Sequence, residues 1–166
     1  QFERNNVKAT TNLISHLKEN KVPSVVHISS SVVNSKASDA YSRTKTTQEK
    51  MVAKAFPDSI ILRPTLMFGP LDRKHLGWLA GFMLKSPIFP IPGDGRYIRQ
   101  PLYVGDFCKV IEGAIRSKIK AGTYNISGVE KLYYIDIIKL IKKNIASSCW
   151  IVKINYDLFK LLLKFY

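Results

Sequence analysis

The order of two short apolar runs among longer amphipathic ones constrains this chain most. Residues 24–28, SVVHI, and 59–64, SIILRP, are apolar and rich in β-branched residues. Such runs predict short strands buried on both faces. Before the first run, residues 6–19 place Val7, Thr10 or Thr11, Leu13, Ile14 and Leu17 on one stripe, which predicts a helix with one buried face. Residues 20–23, NKVP, end it. Between the runs, Asp39 is positioned to cap a helix that continues to about Phe56, and Pro64 closes the second strand. Helix, strand, helix, strand implies βαβ units and a parallel sheet with helices on its faces. Ligands of open sheets of this kind sit beyond the carboxyl ends of the strands, where this chain places the serines at 29–31 and the stretch RPTLMFGP.

The alternation continues less regularly. An amphipathic helix is expected at about 73–85, a Pro/Gly-rich loop at 86–96, a strand at 100–104, and a helix capped by Asp106 through about Ser117. A strand at 122–127 and a helix at 133–146 follow, and DLFKLLLKFY at the end reads as a core helix, an interfacial helix or a segment cut short.

Lys and Arg number 26 against 12 Asp and Glu, a net charge of +14. That excess could attract nucleic acid, an anionic membrane or a phosphorylated small molecule. No run of five basic residues, arginine-rich arm or zinc-finger spacing occurs, so a lysine-rich solvated surface is expected and nucleic-acid binding is not. Cys108 and Cys149, with the scattered His16, His27 and His75, form neither a metal pattern nor a disulfide framework, so a reducing cytoplasm is the expected compartment. No stretch reaches the roughly 18 apolar residues of a transmembrane helix.

Chemistry concentrates in DAYSRTK, residues 39–45, where Tyr41 and Lys45 fall four apart and therefore on one helix face. An ammonium beside a phenol favours the phenolate. Asn6, Ser30, Tyr41 and Lys45, in this order, resemble the catalytic tetrad of the short-chain dehydrogenase/reductase superfamily, whose YxxxK motif here reads YSRTK. NVKATTNLI, VVHISSSVV, IILRPTLMFGP, IPGDGRYIRQPLYVGDFCKVI and AGTYNISG resemble, in the right order, segments of its extended branch, the sugar-nucleotide epimerases and dehydratases. The likeness covers residues from about 5 to 145.

The resemblance implies an α/β fold: the second half of a Rossmann-like, doubly wound parallel sheet over residues 1–65 and 101–127. A smaller α/β substrate-binding lobe would take 66–100 and 128–166. It implies an enzyme using NAD or NADP on a nucleotide sugar by hydride transfer. Tyr41 would move the proton and, with Lys45, Pro64 and Thr65, contact the coenzyme. Ser30 would hold the reacting oxygen, Asn6 would brace the helix and a water near the lysine, and Ser31 and Arg99 would bind substrate, Arg99 at a diphosphate. It implies a homodimer built on the helices at 6–19 and 39–56; no metal is expected, because the histidines and cysteines are scattered. Plainer readings stand beside these: the serines as turn residues, Asn6 as a helix cap, Arg99 as a surface ion-pair residue, and Gly93 and Gly95 as turn glycines.

The sequence departs from the family in two ways. The glycine-rich cofactor fingerprint is absent and the chain opens at the asparagine helix, so the expectation is the C-terminal part of a longer enzyme, binding a dinucleotide weakly or not at all by itself. Leu66 stands where such epimerases often place an asparagine. The chain is also similar to atypical members, including the nicotinamide-binding accessory subunit of respiratory complex I. That opens a non-catalytic scaffold, with weak membrane association through the terminal segment, as an alternative; a hydroxysteroid-type dehydrogenase is another.

Overall fold

The computed structural model describes residues 1–36, 39–116 and 119–162. In chain order its elements are a π-helical stretch Glu3–Lys8, α1 (Ala9–Glu19), β1 (Val26–Ile28), a 3-10 turn Ser31–Asn34, α2 (Ala40–Ala55), β2 (Ile60–Pro64), β3 (Met67–Phe68) and α3 (Leu76–Lys85). Then come β4 (Ile88–Pro92), β5 (Ile98–Arg99), β6 (Leu102–Tyr103), α4 (Val104–Arg116), β7 (Gly122–Ile126), β8 (Leu132–Tyr133), α5 (Tyr134–Asn144), β9 (Trp150–Ile154) and α6 (Tyr156–Leu162). The chain divides into two compact units, Gln1–Thr65 with Leu102–Ser127, and Leu66–Pro101 with Gly128–Tyr166.

Unit 1 is the α/β, Rossmann-like part. A parallel three-stranded sheet runs in the order β1-β2-β7, with Val26 opposite Ile60 and Ile60 opposite Gly122. β2 is its centre, and Ile60, Ile61 and Leu62 are consecutively buried, as an apolar run without alternation requires. Ile28, on β1 at the edge, stays 44% exposed. Phe107 and Ala114 of α4 are buried. That helix begins at Val104, so Asp106 sits within its first turn and does not cap it. Its expected end at Ser117 lies outside the described residues.

The first helix differs in composition from its expected stripe. Thr10 is buried, while Leu13 is 56% exposed. The face of α1 that meets α2 is polar: Gln48 Nε2 donates to Thr10 Oγ1 (2.6 Å) and to Asn6 O (3.0 Å). α2 starts where Asp39 accepts the Ser42 N–H at 2.7 Å and ends at Phe56, before Pro57.

Unit 2 packs α3 and α5 around a core of Met83, Phe89, Ile91, Ile138 and Cys149. Residues 86–96, expected as a loop, contain β4, which pairs in parallel with β9. Two prolines in a strand argue for a loop unless their missing N–H groups face an unpaired edge. They do. The Gly93 N–H donates to Ile154 O (2.8 Å), so by the two-residue period the N–H groups of 89 and 91 face β9 and those positions at Pro90 and Pro92 face away. Gly93 and Gly95 then turn the chain at φ +68° and +72°. β5 and β8 pair antiparallel, with Arg99 opposite Leu132. The terminal segment forms α6, and residues 163–166 lie outside the described residues. No helix among the described residues is long and apolar enough to cross a membrane.

Candidate active site

Parallel register brings the carboxyl ends of β1 and β2 to one side, because Ile28 lies opposite Leu62. The serines at 29–31 and the pair Pro64–Thr65 both continue from those ends. The Ser29 N–H donates to Leu62 O (2.7 Å) and the Thr65 N–H to Ile126 O (2.9 Å), which fixes both continuations to the sheet. α2 begins beside them and supplies Tyr41 in its first turn and Lys45 one turn on.

The Lys45 ammonium donates to the carbonyl of Ile28, the last residue of β1, at 3.2 Å. Burial lowers the pKa of this half-buried ammonium, and the Glu49 charge opposes the shift. Tyr41 is 37% exposed and its ring lies 5.6 Å from that of Phe2, tilted by 50°. The Ser30 Oγ accepts the Val32 N–H (3.3 Å) and caps the 3-10 turn that begins at Ser31. The turn role expected of a serine is thus realised at Ser30, and its hydroxyl proton remains to donate.

Asn6 does not cap a helix. It lies within the π-helical stretch, a feature that recurs at functional sites. Its Nδ2 donates to Thr44 Oγ1 (2.9 Å), next to Lys45, and its carbonyl accepts from Gln48. Asn6 therefore ties the first helix to the turn of α2 that carries the lysine. Arg99 belongs to unit 2, where its exposed guanidinium lies 4.9 Å from the centre of the Tyr97 ring. Among the described residues no group of His, Cys, Asp and Glu could hold a metal ion.

A polar network that sequence reading did not single out links α2 to the sheet, buried at its Glu49 end. Glu49 follows Lys45 by one helical turn and is 6% exposed. Arg63 of β2 meets it with two nitrogens, Nε on Oε1 at 2.8 Å and a terminal nitrogen on Oε2. Another Arg63 nitrogen reaches Asn34 Oδ1 (3.1 Å), and Asn34 Nδ2 reaches Asn125 Oδ1 of β7 (2.9 Å). Burial would raise the Glu49 pKa, but the hydrogen bonds and charge of Arg63 and the nearby Ser29 and His27 outweigh it and hold it low, although the Ser29 Oγ makes no geometrically sound hydrogen bond. His27 of β1 is pushed the other way: burial, then Lys45, lower its pKa, against Glu49. Its Nε2 is buried without a hydrogen-bond partner. One signal was available in the sequence. An arginine inside a buried apolar strand needs an anion, and the glutamate one turn past the lysine is the nearest acid on that helix face.

A family model described as "NAD dependent epimerase/dehydratase family" matches residues 1–127. The mitochondrial subunit 9 of the NADH dehydrogenase [ubiquinone] 1 alpha subcomplex of Rattus norvegicus is 31% identical over 125 residues, 75% of this chain and 33% of that protein. The decarboxylating sterol-4-alpha-carboxylate 3-dehydrogenase of Candida albicans is 26% identical over 172 aligned positions, covering 86% of this chain and 49% of the relative. Among solved structures, UDP-glucuronic acid 4-epimerase from Bacillus cereus in complex with NAD superimposes with a TM-score of 0.74 at 26% identity, covering 89% of this chain and 56% of that one. The chain thus spans between a third and a little over half of the length of these relatives.

Proposed function

The chain belongs to the NAD dependent epimerase/dehydratase family, and from that membership we propose that it carries the proton-transfer half of an NAD(P)-dependent enzyme acting on a nucleotide sugar. The observation that carries this reading is the placement of Lys45 on the Ile28 carbonyl at the strand end (3.2 Å), one turn from an accessible Tyr41.

The donor set fits the nicotinamide-ribose end of a dinucleotide. An ammonium has three N–H donors and Ile28 takes one, leaving donors for ribose hydroxyls. Pro64 and Thr65, at the end of the central strand, would line the nicotinamide side of the site. When bound, that coenzyme supplies the hydride chemistry.

The chain's own residues then have separable tasks. Tyr41 gives or takes the proton at the substrate hydroxyl or carbonyl. The Ser30 hydroxyl donates to the same oxygen and orients it, with Ser31 beside it. Lys45, one helical turn past Tyr41, holds coenzyme. Asn6, through Thr44, fixes the turn that presents both. Arg99 of unit 2 is the group for the diphosphate, since a guanidinium fork matches phosphate oxygens.

The test is Tyr41→Phe in the whole protein that contains this chain. Turnover of a nucleotide sugar should fall at least about 100-fold, with coenzyme affinity within about twofold. Unchanged turnover refutes the assignment. Coenzyme binding without turnover in either form would select the non-catalytic scaffold, the reading that the rat relative supports.

A further inference from the structure

Residues 73–93 and 137–156 build α3, β4, most of α5 and β9, and neither stretch contains an Asp or a Glu. The fold gathers their lysines at one end of unit 2. The Ser147 Oγ donates to Met83 O (2.6 Å) and the Trp150 N–H to Pro87 O (2.7 Å). These bonds tie the last turn of α3 and the start of β4 to the turn after α5 and the start of β9. Lys139, Lys142 and Lys143 line a shallow hollow on one side of Ser147, and Lys85 lines another on its far side. Lys139 is 3.7 Å from Asp136, whereas Lys85, Lys142 and Lys143 have no ion pair among the described residues. Lys142 and Lys143 close α5, where cations offset the helix dipole. That accounts for charges at a helix end but not for the apolar groups beside them.

The same end exposes large apolar side chains. Trp150 is 75% exposed, Leu84 64% and Ile88 51%. Register sets Trp150 opposite Ile88, so both project to the same side of the β4–β9 pair. Their neighbours Phe89 and Ile151 turn the other way, into the core. Leu84 stands in the last turn of α3, four residues before Ile88. The chemistry of this surface decides between two kinds of partner. The buried centre of a protein–protein interface is depleted in lysine, because a strongly hydrated ammonium is costly to desolvate. A lipid headgroup layer has no such conflict. It takes an indole at its own depth, apolar body inward and N–H outward, while ammonium groups stay in water against lipid phosphates.

We propose that this end of unit 2 docks on an anionic lipid surface. Trp150, Ile88 and Leu84 enter the headgroup layer, and Lys85, Lys139, Lys142 and Lys143 lie on its phosphates. None of these residues borders the cavity beside Arg99. β4 runs from the docked end to the Gly93–Gly95 turn, about 13 Å along the strand, and Arg99 follows that turn. The proposal therefore leaves the diphosphate assigned to Arg99 in place and does not depend on the chemistry of Tyr41.

The test is co-sedimentation of the whole protein that contains this chain with large unilamellar vesicles. Vesicles of phosphatidylcholine with phosphatidylserine should bind it at least about tenfold more tightly than phosphatidylcholine alone. Lys142→Gln with Lys143→Gln should weaken that binding about 30-fold, from about fivefold per lysine near the surface. The same charge change on unit 1, Lys18→Gln with Lys21→Gln, should cost under about threefold, because those charges lie more than a screening length away from the bilayer. Trp150→Ala should weaken binding about tenfold with an unchanged far-UV circular dichroism spectrum, and Trp150→Phe should weaken it less. No binding to anionic vesicles, even where an acidic protein is bound, would overturn the proposal. So would equal binding to neutral and anionic vesicles, equal losses from the two lysine pairs, or an unchanged affinity in Trp150→Ala.

Discussion

Replacing Arg63 by leucine isolates the pair at the centre of unit 1. The Glu49 side chain is 8% exposed and that of Arg63 21%, so the variant leaves a buried carboxylate with only the Ser29 hydroxyl, the neutral His27 ring and the Lys45 charge nearby. Removing one partner of a buried pair costs about 3–5 kcal/mol. Because Arg63 is partly solvated, the lower end, about 3 kcal/mol at pH 7, is expected. The pH dependence is the sharper part. In the wild type the Glu49 pKa is held low, so its stabilisation is present above the unfolded carboxylate pKa and lost as pH falls through the folded value. In the variant the arginine is gone and burial, which alone raises the pKa, dominates. Protonation then relieves the penalty, and the deficit relative to wild type should shrink between pH 7 and pH 4. Glu49→Gln on top of Arg63→Leu should restore stability at pH 7. Both tryptophans lie in unit 2, so fluorescence would miss the effect; amide hydrogen exchange of β2 through a urea series reads it. A deficit under about 1 kcal/mol, or one that does not change with pH, would refute the reasoning.

Within α3, two glycines should respond oppositely to alanine. A Cβ on Gly81 meets nothing within 4 Å, whereas one on Gly77 would lie 1.7 Å from Asp72 O. Gly81→Ala should therefore stabilise unit 2 by up to about 1 kcal/mol, and Gly77→Ala should unseat the start of the helix; thermal melts by Trp78 fluorescence check both. Asp72 accepts the N–H groups of Lys74, His75 and Gly77 at 2.9–3.0 Å. Asp72→Ala should cost about 1–2 kcal/mol at pH 7, and less as pH falls through the lowered Asp72 pKa, because the wild type loses the same cap by protonation.

Much of unit 1 was legible because its signals are local. SVVHI and SIILRP are apolar without alternation, which only a doubly covered strand tolerates, and both became neighbouring parallel strands. Asp39 caps α2 as its side chain permits, and the spacing of Tyr41 and Lys45 dictates a common face. Where the reading missed, a distant partner had decided. Residues 86–96 look like a loop because prolines break ladders. β9, some sixty residues on, pairs with the edge that the prolines do not interrupt. Asp72, and not the start of the amphipathic pattern, sets where α3 begins.

The sequence alone determined that this chain makes a parallel α/β sheet and presents a tyrosine and a lysine beside a serine turn, since periodicity and capping are properties of neighbours along the chain. The tertiary structure alone decided where the lysine's proton donors go, which acid neutralises Arg63, and that Trp150 stands exposed opposite Ile88. Those are matters of burial: a charge or a ring takes its meaning from what displaces water around it, and in this protein those groups come from strands and helices far apart in sequence.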